Sequence, residues 1–247
     1  MRLPGWARRY SEILHEFGFD RKEDLRAARF LDSLLERKEP LGTLERMIRG
    51  HTVFVIGAGP SLSSAIPHIK KFGQVTKIAA DGATEALIEN GIRPDIVVTD
   101  LDGSLEHLKK ASEENSIMVV HSHGDNIGTL PLALLFRHCI GTTEGRPFGR
   151  IRNFGGFTDG DRCVFLARYF GVEKIVLFGM DFGKKIGTYS KDVKYDRKVK
   201  LAKLARAREL LEWLASRKEC KYYTTTEKIR GFEKIRFSDL EELTKKH

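Results

Sequence analysis

The chain has 247 residues, of which 41% are hydrophobic and 31% are charged, a composition typical of a folded protein with a sizeable core and not of a disordered one. No apolar run is long enough to cross a bilayer and the first residues lack an apolar signal core, so we expect neither a membrane span nor a secretory signal. The net charge of +9, from 43 basic and 34 acidic residues, favours an anionic partner, either a nucleic acid or a small phosphorylated substrate.

Residues 1–50 are predicted to form helices. Apolar side chains recur at the three- and four-residue spacing of a helix face, first over 6–17 and again over 25–35. A short third helix is predicted to end at Gly50. We expect this N-terminal helical extension to pack on the rest of the chain and to contribute no functional site.

From residue 51, short apolar strands alternate with helical segments. The predicted strands cover 52–56, 75–80, 95–99, 116–120 and 173–178, and helices are predicted around 61–70, 83–90, 104–114, 127–137 and 160–170. This alternation is typical of an α/β fold with a Rossmann-like, doubly wound, mostly parallel sheet, whose ligands lie beyond the carboxyl ends of the strands. We assign residues 51–183 to this core.

Residues 184–247 are predicted to add further elements to the core. A basic, glycine-containing stretch over 184–198 is predicted to be a mobile loop, followed by a helix with one apolar face. A final strand over 221–226 and a closing helix near 238–246 complete this C-terminal addition.

The first predicted strand is followed by the sequence GAGPSL, which contains Gly57, Gly59, Pro60 and Ser61. Glycine allows a phosphate to approach the backbone closely, proline suits a first helical position, and a helix N-terminus presents free N–H groups to an anion. The motif is no dinucleotide fingerprint, since Leu62 stands where a third Gly or Ala belongs. It predicts a phosphate contact, with an ordinary tight turn as the alternative.

Most of the other strand exits carry an aspartate with a glycine nearby. The residues concerned are Asp81 and Gly82 in AADGAT, Asp100 and Asp102 in TDLDG, Asp125 in HSHGDN, Asp159 and Asp161 in GFTDGDR, and Asp181 in FGMDFG. Asp and Gly are common turn residues, but carboxylates converging on one edge of a sheet repel each other unless a cation neutralises them. This pattern predicts a divalent metal, and carboxylate oxygens without accompanying cysteines favour Mg²⁺ over zinc.

The motif HSHGDN also contains two histidines, His121 and His123. We assign them to opposite sides of an extended segment and therefore do not expect them to share one metal ion. One is expected to face the site as a hydrogen-bond partner of a phosphate or substrate, and the other to be structural.

The motif TDLDG allows several interpretations. In a phosphatase of the haloacid dehalogenase type, Asp100 would attack phosphorus, but that interpretation also needs a later Ser or Thr, a lysine and an acidic pair. Thr142 and Asp181 are the available residues, and Asp181 lacks a close acidic partner. The alternatives are Mg²⁺ binding in a kinase and a polar turn.

Together the motifs resemble a known family. AADGAT followed by RPDIVVTDLDG resembles the catalytic domain of thiamin pyrophosphokinase. With GAGPSL before it and HSHGDN and GFTDGDR after it, the chain is similar over about residues 50–183 to the archaeal 6-hydroxymethyl-7,8-dihydropterin pyrophosphokinase (MptE-like) family. Thr99 and Gly103 replace a Gly and a Ser of the thiamin enzyme, HSHGDN replaces its metal motif, and a C-terminal β-sandwich is not evident. These departures favour a pterin over thiamin.

The resemblance implies an ATP-dependent, Mg²⁺-dependent transfer of diphosphate to a hydroxymethyl pterin with release of AMP, in the biosynthesis of a folate-like or tetrahydromethanopterin cofactor. It implies that Asp100 and Asp102, with Asp125, hold Mg²⁺, and that Asp81 completes the metal shell or positions the attacking hydroxyl. The implied nucleotide- and substrate-binding residues are Gly57, Gly59, Pro60, Ser61, Asp81, Gly82, His121, His123, Asn126, Asp161, Arg162 and Asp181. Among these, Asn126 and Asp161 would read the pterin amide edge and Arg162 would meet a phosphate.

The basic loop has two interpretations: Lys184, Lys185 and Lys191 either close over ATP as a lid or are solvated loop charges. A nucleic-acid-binding protein is a further alternative, based on net charge and the basic segment 184–208, but known binding motifs and interleaved aromatics are missing there. Three isolated cysteines favour the cytoplasm. The sequence leaves open whether the chain forms a homo-oligomer.

Overall fold

In the computed structural model, which describes residues 3–35, 40–183, 185, 187, 189 and 197–245, a single sheet organises the chain. Every pair of neighbouring strands in this sheet is parallel. Its strands are β1 (Thr52–Ile56), β2 (Thr76–Ala80), β3 (Ile96–Thr99), β4 (Ile117–His121), β5 (Cys139–Thr142), β6 (Ile151–Arg152), β7 (Lys174–Phe178), β8 (Lys221–Thr224) and β9 (Glu233–Lys234).

The strand order explains where a ligand is expected to bind. The sheet reads β6-β5-β4-β3-β2-β1-β7-β8-β9, so the chain moves outward from β1 to β6 and then returns to place β7 on the other side of β1. In the register, Val53 pairs with Thr76 on one side and with Ile175 on the other. Between β1 and β7 the direction of winding reverses, and such a switch point opens a crevice at the carboxyl ends of the strands.

Helices cover both faces of the sheet. They are α1 (Trp6–Phe17), α2 (Arg21–Leu34), α3 (Leu41–Ile48), α4 (Leu62–Ile69), α5 (Asp81–Glu89), α6 (Leu105–Glu113), α7 (Asp159–Tyr169), α8 (Arg197–Ala215) and α9 (Leu240–Thr244). Along β1, Val53 and Val55 pack with α1, α3, α7 and α8, whereas Phe54 and Ile56 pack with α4, α5 and α9. Successive strand residues face opposite sides, so both faces are buried and each strand is apolar throughout.

The predicted α/β, doubly wound, parallel architecture is confirmed, and the five predicted core strands lie within one residue of their observed bounds. Three short strands, β5, β6 and β9, were not predicted because runs of two to four residues carry little periodicity. The predicted helix over 127–137 is wrong: the chain there contains the 3₁₀ helix Leu130–Leu135, with proline in its first turn, after another over Gly124–Asn126. Among the described residues, no helix combines the length and apolar character that crossing a bilayer requires.

The terminal segments join the same structure. Strands β8 and β9 extend the sheet beyond β7, and α8 packs on the face that α7 covers. Helices α1 and α2 lie on opposite faces of the sheet and are linked by a buried hydrogen bond from the Tyr10 hydroxyl to Asp24 Oδ2, at 2.6 Å. The domain boundaries at residues 50 and 183 stay a prediction.

Candidate active site

A cavity of about 460 Å³ lies at the carboxyl edge of the sheet. Its walls come from the exits of β1, β2, β3, β4 and β7, from the start of α7, from the first half of α8 and from the connection between α1 and α2. The last of these contradicts the expectation that the N-terminal helices contribute no site. The size is in the range of small-molecule pockets.

Four aspartates form the centre of this cavity. Asp81, Asp100, Asp102 and Asp159 each offer a carboxylate oxygen, and these oxygens all lie within 4.8 Å of one another. Oδ1 of Asp81 and Oδ1 of Asp100 are buried and have no hydrogen-bond partner among the described residues. Buried carboxylate oxygens in such a group suit a hard divalent cation, which would neutralise their repulsion. We call these four residues the carboxylate cluster.

Asp81 is held from three directions. It is the first residue of α5, and its Oδ2 accepts hydrogen bonds from Thr99 Oγ1 at 2.5 Å and from the Gly103 N–H at 3.2 Å. The Thr99 hydroxyl oxygen in turn accepts from the Leu101 N–H at 2.8 Å. Burial raises the pKa of Asp81 to about 6, an effect that the hydrogen bond from Thr99 opposes and the nearby charge of Asp100 reinforces.

A strained residue separates Asp100 and Asp102, the two aspartates of TDLDG. Leu101 has φ of 70°, in the left-handed region that non-glycine residues avoid, and its side chain is buried in the core. Such a conformation costs about 1–3 kcal/mol and persists where the surroundings hold it. The turn lets Asp100 and Asp102 both reach the cluster while Leu101 points into the core.

His123 lies beside the cluster. Its Nε2 is 3.5 Å from Asp100 Oδ2, and its Nδ1 accepts a hydrogen bond from the Asp125 N–H at 3.2 Å. Although burial alone would raise it, the pKa of Asp100 lies well below its usual range because His123 donates to it and Arg162 contributes positive charge. Asp125, which the resemblance placed on the metal, has a side chain 61% exposed and is outside the carboxylate cluster, which contains Asp159 instead.

The expectation that His121 and His123 point to opposite sides was wrong. Residues two apart in an extended chain face the same side, and the rings of His121 and His123 indeed stack at a centroid distance of 6.2 Å. Only His123 lines the cavity. His121 is buried, its Nδ1 lies 3.1 Å from Thr142 Oγ1, and burial lowers its pKa to about 4. It is therefore structural, as expected for one of the pair.

Asn126 and Asp161 do not line the cavity, so the structure gives no support to their expected role in reading a pterin. The Asn126 amide donates to the carbonyls of Asp100 and His121, both at 2.8 Å, and accepts from the His123 N–H. The carboxylate of Asp161 accepts from the N–H groups of residues 157 and 158 and from a threonine hydroxyl, which closes a capping box at the start of α7. Both side chains have their polar atoms engaged by nearby backbone.

Arg162 is a buried cation on the cavity wall. Its Nη2 lies 2.5 Å from Glu144 Oε1 and its Nη1 lies 3.2 Å from Asp159 Oδ1, while its Nε has no partner among the described residues. Glu144 was missed by the sequence analysis, although it stands just after β5. Burial would raise the pKa of Glu144, but His121 and Arg162 lower it to about 2. A buried arginine with an unused N–H suits a phosphate oxygen.

The glycine turn after β1 packs closely on the exit of β7. The Gly57 N–H donates to the Phe178 carbonyl and the Gly59 N–H to the Gly179 carbonyl, and a Cβ at Gly57 would lie 2.6 Å from Met180 Sδ. Glycine is needed there for this contact as well as for any ligand. The turn lines the cavity as predicted.

At the end of the glycine turn, Pro60 and Ser61 are placed differently from what the sequence predicted. Ser61 donates through its N–H and its hydroxyl to Asp181 Oδ2, at 3.0 and 2.7 Å, so its hydroxyl is occupied within the protein. Pro60 lies two residues before the first residue of α4, not at its first position. Pro60, Gly82 and Asp181 line the cavity, and Ser61 does not.

Basic side chains lie on the open side of the cavity. Lys185, Lys200 and Lys203 line it, the last two from the first half of α8. Lys184 and Lys191, which were assigned to a lid, lie outside the described residues. Positive charge around an acidic centre fits an anionic ligand that carries its own cation.

The comparisons with known proteins identify a family. The family model described as 6-hydroxymethylpterin diphosphokinase MptE-like matches residues 28–187, more than half of the chain. A "6-hydroxymethyl-7,8-dihydropterin pyrophosphokinase" of Methanothermobacter thermautotrophicus is 43% identical over 87% of this chain and 95% of its own, and one of Pyrococcus furiosus is 46% identical over 87% and 94%. One of Methanocaldococcus jannaschii is 37% identical over 90% and 99%.

Among solved structures, the chain is similar to the MAf glycosyltransferase of Magnetospirillum magneticum, with a TM-score of 0.56, 16% identity, and coverage of 86% of this chain and 39% of that one. At this identity the likeness concerns the fold alone. The family model, by contrast, covers all four aspartates of the carboxylate cluster, and the three relatives match most of the chain. The chain therefore belongs to the MptE-like 6-hydroxymethylpterin diphosphokinase family.

Proposed function

We propose that the protein transfers the β,γ-diphosphate of ATP to the hydroxyl of 6-hydroxymethyl-7,8-dihydropterin and releases AMP. The observation that carries this proposal is the carboxylate cluster, four aspartates at one sheet edge that open into a cavity large enough for small substrates. The names of the three relatives support the choice of acceptor. The pterin hydroxyl oxygen attacks the β-phosphorus and its proton leaves to solvent, while the bond from that phosphorus to the oxygen of the departing AMP breaks.

Mg²⁺ fits the cluster because its donors are carboxylate oxygens, two of them buried and without other partners among the described residues. Asp100 and Asp102 would hold it together with Asp159, and Asp81 would complete the shell or orient the attacking hydroxyl. When bound, the ion neutralises charge on the phosphates of ATP.

The protein's own contribution is positioning. Transfer of a phosphoryl or diphosphoryl group needs little covalent work from the protein, so the gain comes from alignment and from charges fixed in place. Arg162, held by Glu144 and Asp159, presents its Nε to a phosphate oxygen. The glycine turn at the switch point between β1 and β7 receives the nucleotide.

The test offers ATP, Mg²⁺ and 6-hydroxymethyl-7,8-dihydropterin to the protein, with thiamin in a parallel reaction, and measures AMP. AMP formed with the pterin alone is the expected result. Release of inorganic phosphate from simple phosphomonoesters would favour the phosphatase instead, and no AMP with either acceptor would refute a pyrophosphokinase. Repeating the reaction with EDTA tests the metal: activity should disappear and return with excess Mg²⁺.

Two further expectations accompany this proposal. The three cysteines are free thiols, which suits a reducing compartment, so we place the enzyme in the cytoplasm. Binding of nucleic acid would bring a phosphate backbone to an edge lined by four carboxylates, which repel it. A small phosphorylated substrate that brings its own cation avoids this repulsion.

A further inference from the structure

One wall of the cavity has no role in the proposal above. It comprises the connection between α1 and α2 and the first turn of α2, where Phe19, Asp20, Glu23 and Asp24 line the cavity. Sequence analysis assigned no site to this segment, and the carboxylate cluster does not include it. We call these four residues the N-terminal wall.

The N-terminal wall stands directly beside the carboxylate cluster. Asp24 Oδ1 accepts a hydrogen bond from the Gly124 N–H at 3.0 Å, and Gly124 follows His123, which contacts Asp100. A Cβ at Gly124 would lie 2.8 Å from Glu23 Cβ, so glycine is required for this close contact. The wall therefore flanks the cluster on the β4 side.

The glycine turn after β1, which receives the nucleotide in the proposal above, lies on the other side of the carboxylate cluster. The turn follows β1, Asp81 follows β2, Asp100 follows β3 and His123 follows β4. Neighbouring strands are about 4.8 Å apart, so β1 and β4 are separated by roughly 14 Å along the sheet edge. A donor nucleotide at β1 and an acceptor at the wall would meet at the carboxylates between them.

The wall offers a flat apolar surface. Phe19 is half-buried, stacks on Phe17 at a centroid distance of 5.8 Å and lies 6.4 Å from Phe157. Phe157 stands two residues before Asp159, so this aromatic group adjoins the cluster from a second direction. The ammonium of Lys203, on a long flexible side chain, lies 5.5 Å from the Phe19 ring centroid.

Glu23 is the carboxylate of the wall that the described residues engage least. Asp24 is occupied by the Tyr10 hydroxyl and the Gly124 N–H, and Asp20 caps α2 by accepting from the Lys22 N–H at 2.8 Å. The ion pair of Glu23 within the described residues is a 3.5 Å contact with Arg26, and both side chains are at least half exposed. Such a surface pair contributes little and is easily exchanged.

A pterin presents matching chemistry. It is a flat heteroaromatic ring whose exocyclic amino group and adjacent ring N–H form two parallel donors, the pattern that one carboxylate accepts with both oxygens. An aromatic side chain packs well against such a ring. We propose that Phe19 and Glu23 form the acceptor subsite, with the pterin ring packed on Phe19 and its two N–H donors on the Glu23 carboxylate.

This subsite rests on the proposed function, because the acceptor is defined by it. The test measures the KM for pterin, the KM for ATP and kcat in Phe19→Ala and Glu23→Gln, together with equilibrium binding of 6-hydroxymethylpterin by its own fluorescence without nucleotide. Each variant should raise the KM and the dissociation constant for pterin about 10- to 100-fold and leave the KM for ATP within two-fold. Phe19→Tyr should retain most of the affinity.

Matched controls separate the subsite from general damage. Arg26→Ala removes the ion-pair partner of Glu23 and should leave pterin binding unchanged. Thermal unfolding of each variant shows whether the wall is still folded. If wild-type protein forms AMP with the pterin while both variants keep wild-type pterin affinity, the subsite is wrong and the proposed function stands. If wild-type protein neither binds the pterin nor forms AMP with it, the proposed function fails first.

Discussion

Replacing Gly103 with alanine should disable the site through Asp81. A Cβ at Gly103 would lie 2.6 Å from Asp81 Cγ and closer still to Asp81 Oδ1, where ordinary contact begins at 3.4 Å, so the carboxyl group must shift by at least 0.8 Å. The carboxyl group has little room to move, because Asp81 is buried and its Oδ2 accepts a hydrogen bond from Thr99. A displacement of about 1 Å in a reacting group costs on the order of 10²-fold in rate, which corresponds to about 2.7 kcal/mol.

The assay is kcat/KM for AMP formation, with Mn²⁺ affinity measured separately as a probe of the cluster. We expect both to fall, and we expect overpacking to lower the free energy of unfolding by about 1–3 kcal/mol. Gly73→Ala is the matched control, since a Cβ there meets nothing within 4 Å. Gly103→Ala with activity within two-fold of wild type would show that the position of Asp81 does not matter, and the reasoning would be refuted.

The remaining predictions concern three other side chains. Thr99→Val removes the hydroxyl that Asp81 and a buried backbone N–H share, so it should lower stability by about 1–3 kcal/mol in thermal unfolding. Thr84→Val, whose hydroxyl makes only a long hydrogen bond of 3.3 Å to the Ala80 carbonyl among the described residues, should change stability little. Asp100→Asn should abolish AMP formation, and acid quenching of wild-type protein with labelled ATP should trap no phospho-aspartate; a labelled Asp100 would restore the phosphatase interpretation. Burial lowers the pKa of His121 to about 4 from its ordinary 6.5, so the fold favours neutral imidazole. The stability that neutral His121 contributes is complete above pH 6.5 and is lost as the pH falls towards 4. Urea unfolding of the wild type and of His121→Gln at pH 7.5 and 4.5 measures this loss. If the two proteins differed in free energy of unfolding by the same amount at both pH values, the buried neutral state would be contradicted.

The placement of the aspartates at strand ends follows from the sequence because parallel strands end at one edge. Asp81, Asp100 and Asp102 come together for this reason. Asp159 follows a different route: it opens α7, and its distance from the other three depends on how that helix crosses the sheet. Periodicity does not contain that information, and Asp125, in the motif that follows β4, was preferred in its place.

Local hydrogen bonding could have corrected two assignments. Thr158 and Asp161 stand three residues apart at the start of a predicted helix, the spacing of a capping box, and such a carboxylate is used by its own helix. The same spacing joins His123 to Asn126. A motif must therefore be examined for its own capping needs before its side chains are assigned to a ligand.

The partners supplied by tertiary contact could not be predicted in this way. Glu144 follows β5 and reaches Arg162 because β5 lies beside β4 in the sheet. Strand β5 is too short to be predicted from its sequence. Phe19 and Glu23 reach the cavity only because α2 docks on Gly124 through Asp24. A helix face predicts that a helix packs, but not which of its ends will meet a site.

Chain order and spatial order coincide along the edge of this sheet, and this relation orders the proposed binding positions along it. From β1 to β5 each successive exit lies one strand further from the switch point, so the glycine turn, Asp81, Asp100, His123 and Glu144 follow one another in space as they do in sequence. The return to β7 brings Asp181 back to the glycine turn, at the nucleotide end. With the nucleotide on the glycine turn and the pterin on the N-terminal wall, as proposed, the acceptor enters from the β4 side and its hydroxyl approaches the β-phosphorus opposite the departing AMP.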